Sequence, residues 1–147
     1  MLKLNLGCGG NILEGFENHD SDIDITKPLP WGDNSVDFIL AEHVCEHLST
    51  PDFFRFLLES KRILAPGGTL RLCIPVLDRL DNEHARDIIL GHGHLAAYTM
   101  GSLVRIVALA DWGAMRINCP RDPVDGHFHE IGIEKDDLET CRLECIK

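Results

Sequence analysis

A chain of 147 residues that is 44% hydrophobic and 26% charged is too apolar for a disordered segment and too short for two independent cores. Its 24 acidic and 14 basic residues give a formal charge of −10, and the basic residues form no stripe. A phosphate backbone would meet a repulsive mean field, which argues against a nucleic-acid partner. No apolar run reaches the length of a membrane span, and Met1-Leu2-Lys3-Leu4-Asn5 runs straight into glycine-rich sequence without a signal-peptide pattern. The expectation is a cytoplasmic protein with one domain over residues 1–147 and no membrane contact.

Leu2 to Leu6 alternates apolar and polar residues, which predicts a short strand ending at Gly7-Cys8-Gly9-Gly10. Phe16 to His19 predicts a second short strand, ending at Asp20. Prolines and Asp33-Asn34 mark Lys27 to Asn34 as a loop. Val36 to Ala41 reads as a buried strand and Glu42 to Leu48 as a short helical turn. The clearest helix runs from Pro51 to Leu64. Ser49 or Thr50 caps it, and Phe53, Phe54, Leu57, Leu58 and Leu64 form its apolar side. Pro66-Gly67-Gly68 ends it, and Thr69 to Ile74 is a strand that stops at Pro75. A helix from Asn82 to Leu90 and a buried helix from Ser102 to Ala110 follow. Met115 to Ile117 and Glu139 to Ile146 are the last strands. Strands alternating with helices predict a three-layer α/β fold with a largely parallel sheet.

Six cysteines stand at 8, 45, 73, 119, 141 and 145, none in a Cys-x-x-Cys pair, so free thiols are expected. The acids gather twice. Glu14, Glu17, Asp20, Asp22 and Asp24 form one group. Glu134, Asp136, Asp137, Glu139 and Glu144 form another, read as a solvated face.

Three segments carry a family resemblance: Leu4-Asn5-Leu6-Gly7-Cys8-Gly9, then Asp24 through Trp31 and Val36-Asp37 to His43-Val44-Cys45-Glu46-His47-Leu48, then Arg62 through Pro66-Gly67-Gly68 to Arg71. In this order and spacing the chain resembles the class I, Rossmann-like S-adenosylmethionine-dependent methyltransferases, in particular small type 11 members. The resemblance covers about residues 2–77, with a weaker echo from His94 to the helix near 102–110. It implies S-adenosylmethionine as cofactor. Gly7, Cys8 and Gly9 would give backbone room for its methionine part and ribose. Asp20 would hold the ribose hydroxyls, and Asp24 with the Ile25 backbone would sit by the adenine amino group. Glu42 and His43 would line the sulfonium side, where an acidic pocket suits the cation.

The chain departs from that family in its first half. Only residues 10–15 separate Gly9 from Phe16, too few for a full crossover helix, so the helix shrinks to a turn or the strands form a hairpin. Asp20 and Asp24 are four positions apart, which leaves no room for the family's third strand. Asp22 then competes with Asp20 as the ribose acid. No N-terminal extension precedes the first strand, so residues 76–101 and 119–135 are left to shape an acceptor site. Their His, Asp and Arg suit a polar small molecule, and a homodimer or protein partner is the alternative way to complete that side.

No general base is singled out. The candidates by position are His43, His47, His94 and Glu42. Two rival functions remain. One is a non-catalytic methyltransferase-like binding domain, suggested by the pruned cofactor half. The other is a zinc hydrolase using His43, Glu46 and His47, which match the His-x-x-Glu-His pattern of inverted zinc peptidases. The methyltransferase reading itself requires no metal. A nicotinamide oxidoreductase is disfavoured, because Ile12 stands where its third fingerprint glycine would be.

Overall fold

The computed structural model describes residues 1–78, 82–118 and 140–147. Its strands are β1 (Lys3–Leu6), β2 (Glu17–His19), β3 (Val36–Glu42), β4 (Leu64–Pro75), β5 (Ala114–Asn118) and β6 (Thr140–Ile146). The helices are α1 (Thr50–Ile63), α2 (Asn82–Leu90) and α3 (Met100–Ala108), with a 3-10 turn at Cys45–His47. One six-stranded sheet runs in the order β2-β1-β3-β4-β6-β5. The β2, β1, β3 and β4 neighbours pair in parallel, and β6 is antiparallel to both β4 and β5. The expected Rossmann-like, mostly parallel α/β sheet is what forms. Among the described residues no helix is long and apolar enough to cross a membrane.

The two expected reductions are both present. Residues 20–35 contain no strand, so β2 is the sheet edge. Between β1 and β2, residues 7–16 contain only turns. The hairpin alternative is excluded, because Leu4 pairs with Glu17 and Leu6 with His19 in parallel register. Two asparagines replace the missing helix. Asn5, 2% exposed, donates from Nδ2 to the Asn11 carbonyl at 2.8 Å and to Asn18 Oδ1 at 2.9 Å. Asn18 Oδ1 also accepts from Leu13 N at 2.9 Å, and its Nδ2 donates to the Leu13 and Phe16 carbonyls, both at 3.0 Å. Side-chain amides thus satisfy backbone groups that a helix would have satisfied internally. Phe16 closes this crossover against Phe38, ring edge to face at 6.0 Å.

Ser49 caps α1, accepting from Asp52 N at 3.3 Å. The buried stripe is Phe53, Phe56, Leu57, Ser60 and Ile63, with the three- and four-residue spacing of a helix face. This corrects the expected apolar side: Leu58 is 45% exposed and Phe54 only half-buried, because both lie on the flank. Pro66-Gly67-Gly68 does not separate α1 from the strand either. β4 begins at Leu64 and takes these residues in as an irregularity, with Gly67 at φ +80° and a register shift opposite Val36 to Phe38. α3 starts earlier than expected, because Thr99 and Ser102 form a reciprocal capping box.

Leu4, Leu6, Ile39, Ala41, Leu70, Leu72, Ile74 and Leu143 alternate onto one sheet face and are fully buried in the core with α1 and α3 side chains. The described cysteines are all free. Burial first, then Glu144, pushes the Cys145 thiol up to about 12, and burial also raises Cys73, so these thiols are inert packing groups. The opposite face holds a correction. Glu144, read as solvated, is 1% exposed and ion-paired to Arg71, also 1% exposed. Arg71 Nε donates to Glu144 Oε1 at 3.0 Å, and Arg116 Nη1 reaches Oε2 at 3.4 Å. The other acids of that group, with Cys119, His127 and His129, lie outside the described residues.

Arg62 fastens the proline-rich loop to α1. It forks onto Glu59 at 3.0 and 2.8 Å and donates to the Leu29 and Trp31 carbonyls and to Asp33. Glu59 also accepts from Leu29 N at 2.9 Å. The Arg62 hydrogen bonds, outweighing burial, hold the Glu59 carboxyl below the usual range. A carboxylate depressed on folding contributes stability above its unfolded pKa of about 4.3 and loses it as pH falls through the folded value. Glu59→Gln should therefore lower the melting temperature at pH 7 and lose less than wild type on acidification to about pH 3. Parallel melting curves for the two proteins across that range would contradict this role.

Candidate active site at the carboxyl ends of the parallel strands

The carboxyl ends of β2, β1 and β3 lie side by side, the place where open α/β sheets bind ligands. Gly7 turns the chain out of β1 at φ +71°, and a Cβ there would fall 2.5 Å from Val44 Cγ2. Only glycine lets the loop after β1 approach the loop after β3 so closely. Gly9, at φ +49°, faces open space, so its backbone is accessible to a ligand. Cys8 sits between them, its thiol raised by burial and then by Asp20.

The three candidate acids have different partners. Asp20, exposed just beyond β2, accepts from Gly9 N at 3.2 Å through Oδ1, and Oδ2 takes no hydrogen bond among the described residues. Asp22 has both oxygens engaged: Oδ2 lies 2.6 Å from His19 Nδ1, and Oδ1 accepts from Asp20 N at 2.8 Å. The His19 hydrogen bond, then the backbone one, lowers its pKa. Asp24 folds onto its own turn, accepting from Thr26 N at 3.0 Å and Thr26 Oγ1 at 2.6 Å, which lowers its pKa too. Ile25 is buried at 8% exposure.

Glu42 ends β3 and accepts from Asn11 Nδ2 at 3.3 Å, which ties the glycine loop to the central strand. Sequence reasoning missed Asn11, His19 and Trp31. Trp31 Nε1 donates to Glu17 Oε2 at 3.3 Å, and its ring packs edge-on against His19 at 5.3 Å. Its only sequence signal was an aromatic inside a proline-rich loop.

His43 has φ +52°, a left-handed conformation uncommon outside glycine. Its Nδ1 lies 3.3 Å from Glu46 Oε1 and its Nε2 lies 3.3 Å from Thr140 Oγ1. The carboxylate beside Nδ1 favours the proton there, which leaves Nε2 to accept from the threonine hydroxyl. With both ring nitrogens engaged, His43 does not pair with His47 as an inverted zinc peptidase requires. The 3-10 turn is also too short to put the two on one helix face. His47 instead meets His94, their rings 4.9 Å apart.

Comparison with known proteins bears on the fold and the family. A family model described as a methyltransferase domain matches residues 14–72. An S-adenosylmethionine-dependent methyltransferase from Archaeoglobus fulgidus superposes with a TM-score of 0.69 at 14% identity, covering 99% of this chain and 85% of that one. The chain has the fold of the class I S-adenosylmethionine-dependent methyltransferases. The family model and the fold together indicate S-adenosylmethionine as the cofactor. Two further structures share the fold. An S-adenosylmethionine-dependent methyltransferase from Thermotoga maritima gives a TM-score of 0.65 at 15% identity, covering 99% of this chain and 82% of that one. The complex between the Haloferax volcanii Trm112 methyltransferase activator and a methyltransferase gives 0.65 at 14%, covering 99% and 81%. No curated protein matches the sequence.

The residues present fit that cofactor. The open backbone at Gly9, the unengaged Asp20 Oδ2 and the Glu42 carboxylate supply room, a hydroxyl acceptor and negative charge in one place.

Proposed function

We propose that this chain, acting as a single domain, transfers a methyl group from S-adenosylmethionine to a polar small molecule. The supporting observation is the meeting of the Gly7–Gly9 backbone, Asp20 and Glu42 at three adjacent parallel strand ends. When bound, the cofactor supplies an electrophilic methyl group on a sulfonium ion. Asp20 would accept from the ribose hydroxyls through Oδ2, and Asp22 would be left to order His19. Ile25 and Asp24 would border the adenine, Cys8 with its neighbouring glycines would border the methionine part, and Glu42 would balance the sulfonium charge. His43, held by Glu46 and Thr140, shapes the same wall. For the in-line displacement that the cofactor would support, the loops of this chain would align acceptor and methyl group, and that alignment would supply much of the rate.

The acceptor enters beside residues 91–101, where His94 and His47 are the nearest groups for taking up a proton. A protein that completes this open side is the alternative to a self-contained small-molecule site, and the fold's occurrence beside an activator in the Haloferax complex supports keeping that alternative.

Calorimetric titration with S-adenosylhomocysteine tests the reading. One site per chain with Kd in the range of about 1–100 μM is expected. No binding at millimolar ligand would overturn the enzyme assignment in favour of a non-catalytic domain.

A further inference from the structure

Glu46 is an anomaly that the methyltransferase chemistry leaves unexplained. It is 2% exposed, and its Oε2 has no hydrogen-bond partner among the described residues. A buried carboxylate oxygen without a partner costs free energy unless a ligand satisfies it. Two imidazoles stand beside it. One ligand atom each from Glu46, His47 and His94 lies within 4.8 Å of the other two, and no other such group of metal-ligating side chains occurs among the described residues.

The geometry points to a binding site for a first-row divalent transition-metal ion, formed by Glu46, His47 and His94. Two imidazoles with one carboxylate form a donor set suited to Zn2+ or Fe2+ and ill-suited to Mg2+ or Ca2+, which prefer all-oxygen shells. The surroundings already orient the ligands as metal sites do. His43 Nδ1 lies 3.3 Å from Glu46 Oε1, which leaves Oε2 to ligate. His47 Nδ1 lies 3.4 Å from the Gly93 carbonyl, which leaves Nε2 to ligate. The two loops are also laced together, since Leu95 N and Ala96 N donate to the Glu46 carbonyl at 3.0 and 3.1 Å. His92 and Gly93, both at positive φ, make the tight turn that delivers His94. Small rotations of the two histidines would bring the donors to the separation of about 3.4 Å that metal–ligand bonds of about 2.0–2.1 Å imply.

Three protein ligands leave coordination positions open. The site sits in the loops after β3 and β4, beside the proposed acceptor entrance. An oxygen, nitrogen or sulfur donor of the acceptor would bind there. With an ion bound, the imidazoles no longer take up the acceptor's proton, so this use replaces that role of His47 and His94; it rests on the methyltransferase reading, and ion binding itself does not.

The test uses the full chain without a histidine tag, stripped by chelator and titrated with Zn2+ by calorimetry, and with Co2+ by visible absorption. No S-adenosyl ligand is present, so failure here and failure of cofactor binding are read separately. Expected are one ion per chain with Kd of about 10 μM or tighter and the intense bands of a low-coordinate Co2+ complex. His47→Ala and His94→Ala should each weaken binding at least about tenfold, and the double variant should abolish it. Both histidines lie outside the core, and circular dichroism would check that the variants fold. His127→Ala/His129→Ala should keep the wild-type affinity. Stoichiometric binding that survives in the His47→Ala/His94→Ala double variant, binding lost with His127 and His129, or no stoichiometric binding at all would overturn the assignment.

Discussion

Replacing Asp20 with alanine should weaken S-adenosylhomocysteine binding by roughly 10- to 100-fold, the effect of removing hydrogen bonds of about 1.5–3 kcal/mol to a charged acceptor. The loss has two sources. Oδ2 no longer accepts from the ribose, and Gly9 N–H loses the Oδ1 contact that shapes the glycine loop. Asp20→Asn keeps one acceptor oxygen and should lose less. Asp22→Asn is the discriminating control. Both Asp22 oxygens already serve His19 and the Asp20 backbone, so its replacement should cost clearly less than Asp20→Ala. The reverse order, measured by calorimetry, would transfer the ribose role to Asp22.

The second large effect is on stability. Glu144→Ala should cost about 3–5 kcal/mol, because it removes a carboxylate ion-paired to the buried Arg71 guanidinium. The attraction between the two charges need not exceed their desolvation cost, so the pair is weak support for the fold while the broken pair is a liability. Arg71→Met/Glu144→Leu should accordingly recover most of the loss in urea denaturation. A Glu144→Ala cost under about 1 kcal/mol would show that the guanidinium is solvated in the folded state.

The sequence made the parallel half of the fold legible because its signals are local. Leu2 to Leu6 and Thr69 to Ile74 alternate, Val36 to Ala41 is continuously apolar, and Ser49-Thr50-Pro51 announces a helix start. Length arithmetic against the family pattern located the two reductions, since residues 10–15 are too few for a crossover helix and residues 21–23 too few for a further strand. What was illegible depends on pairing across distance. Asn5 and Asn18 read as ordinary polar residues, yet together they stand in for a helix. Glu144 read as surface charge, because nothing near it in sequence reveals Arg71 on the neighbouring strand. The error on α1 has another origin: Phe54 and Leu58 are as apolar as their neighbours, and only the phase of the stripe excludes them.

The place of the glycines and acids at the strand ends was legible in the sequence. The hydrogen bonds that distinguish Asp20, Asp22 and Asp24 were not, because they form across the folded loops. The same holds for the histidines. His-x-x-Glu-His suggested that His43 and His47 act together. Instead the fold turns His43 toward Thr140 and Glu46, and brings His94 to His47 from a loop distant in sequence.

A crystal structure of the chain with S-adenosylhomocysteine bound tests the methyltransferase assignment most directly. The ribose hydroxyls should lie within hydrogen-bond distance of Asp20, the adenine beside Asp24 and Ile25, and the sulfur toward Glu42. A ligand bound away from the carboxyl ends of β1, β2 and β3, or a site that stays empty at millimolar ligand, would contradict it.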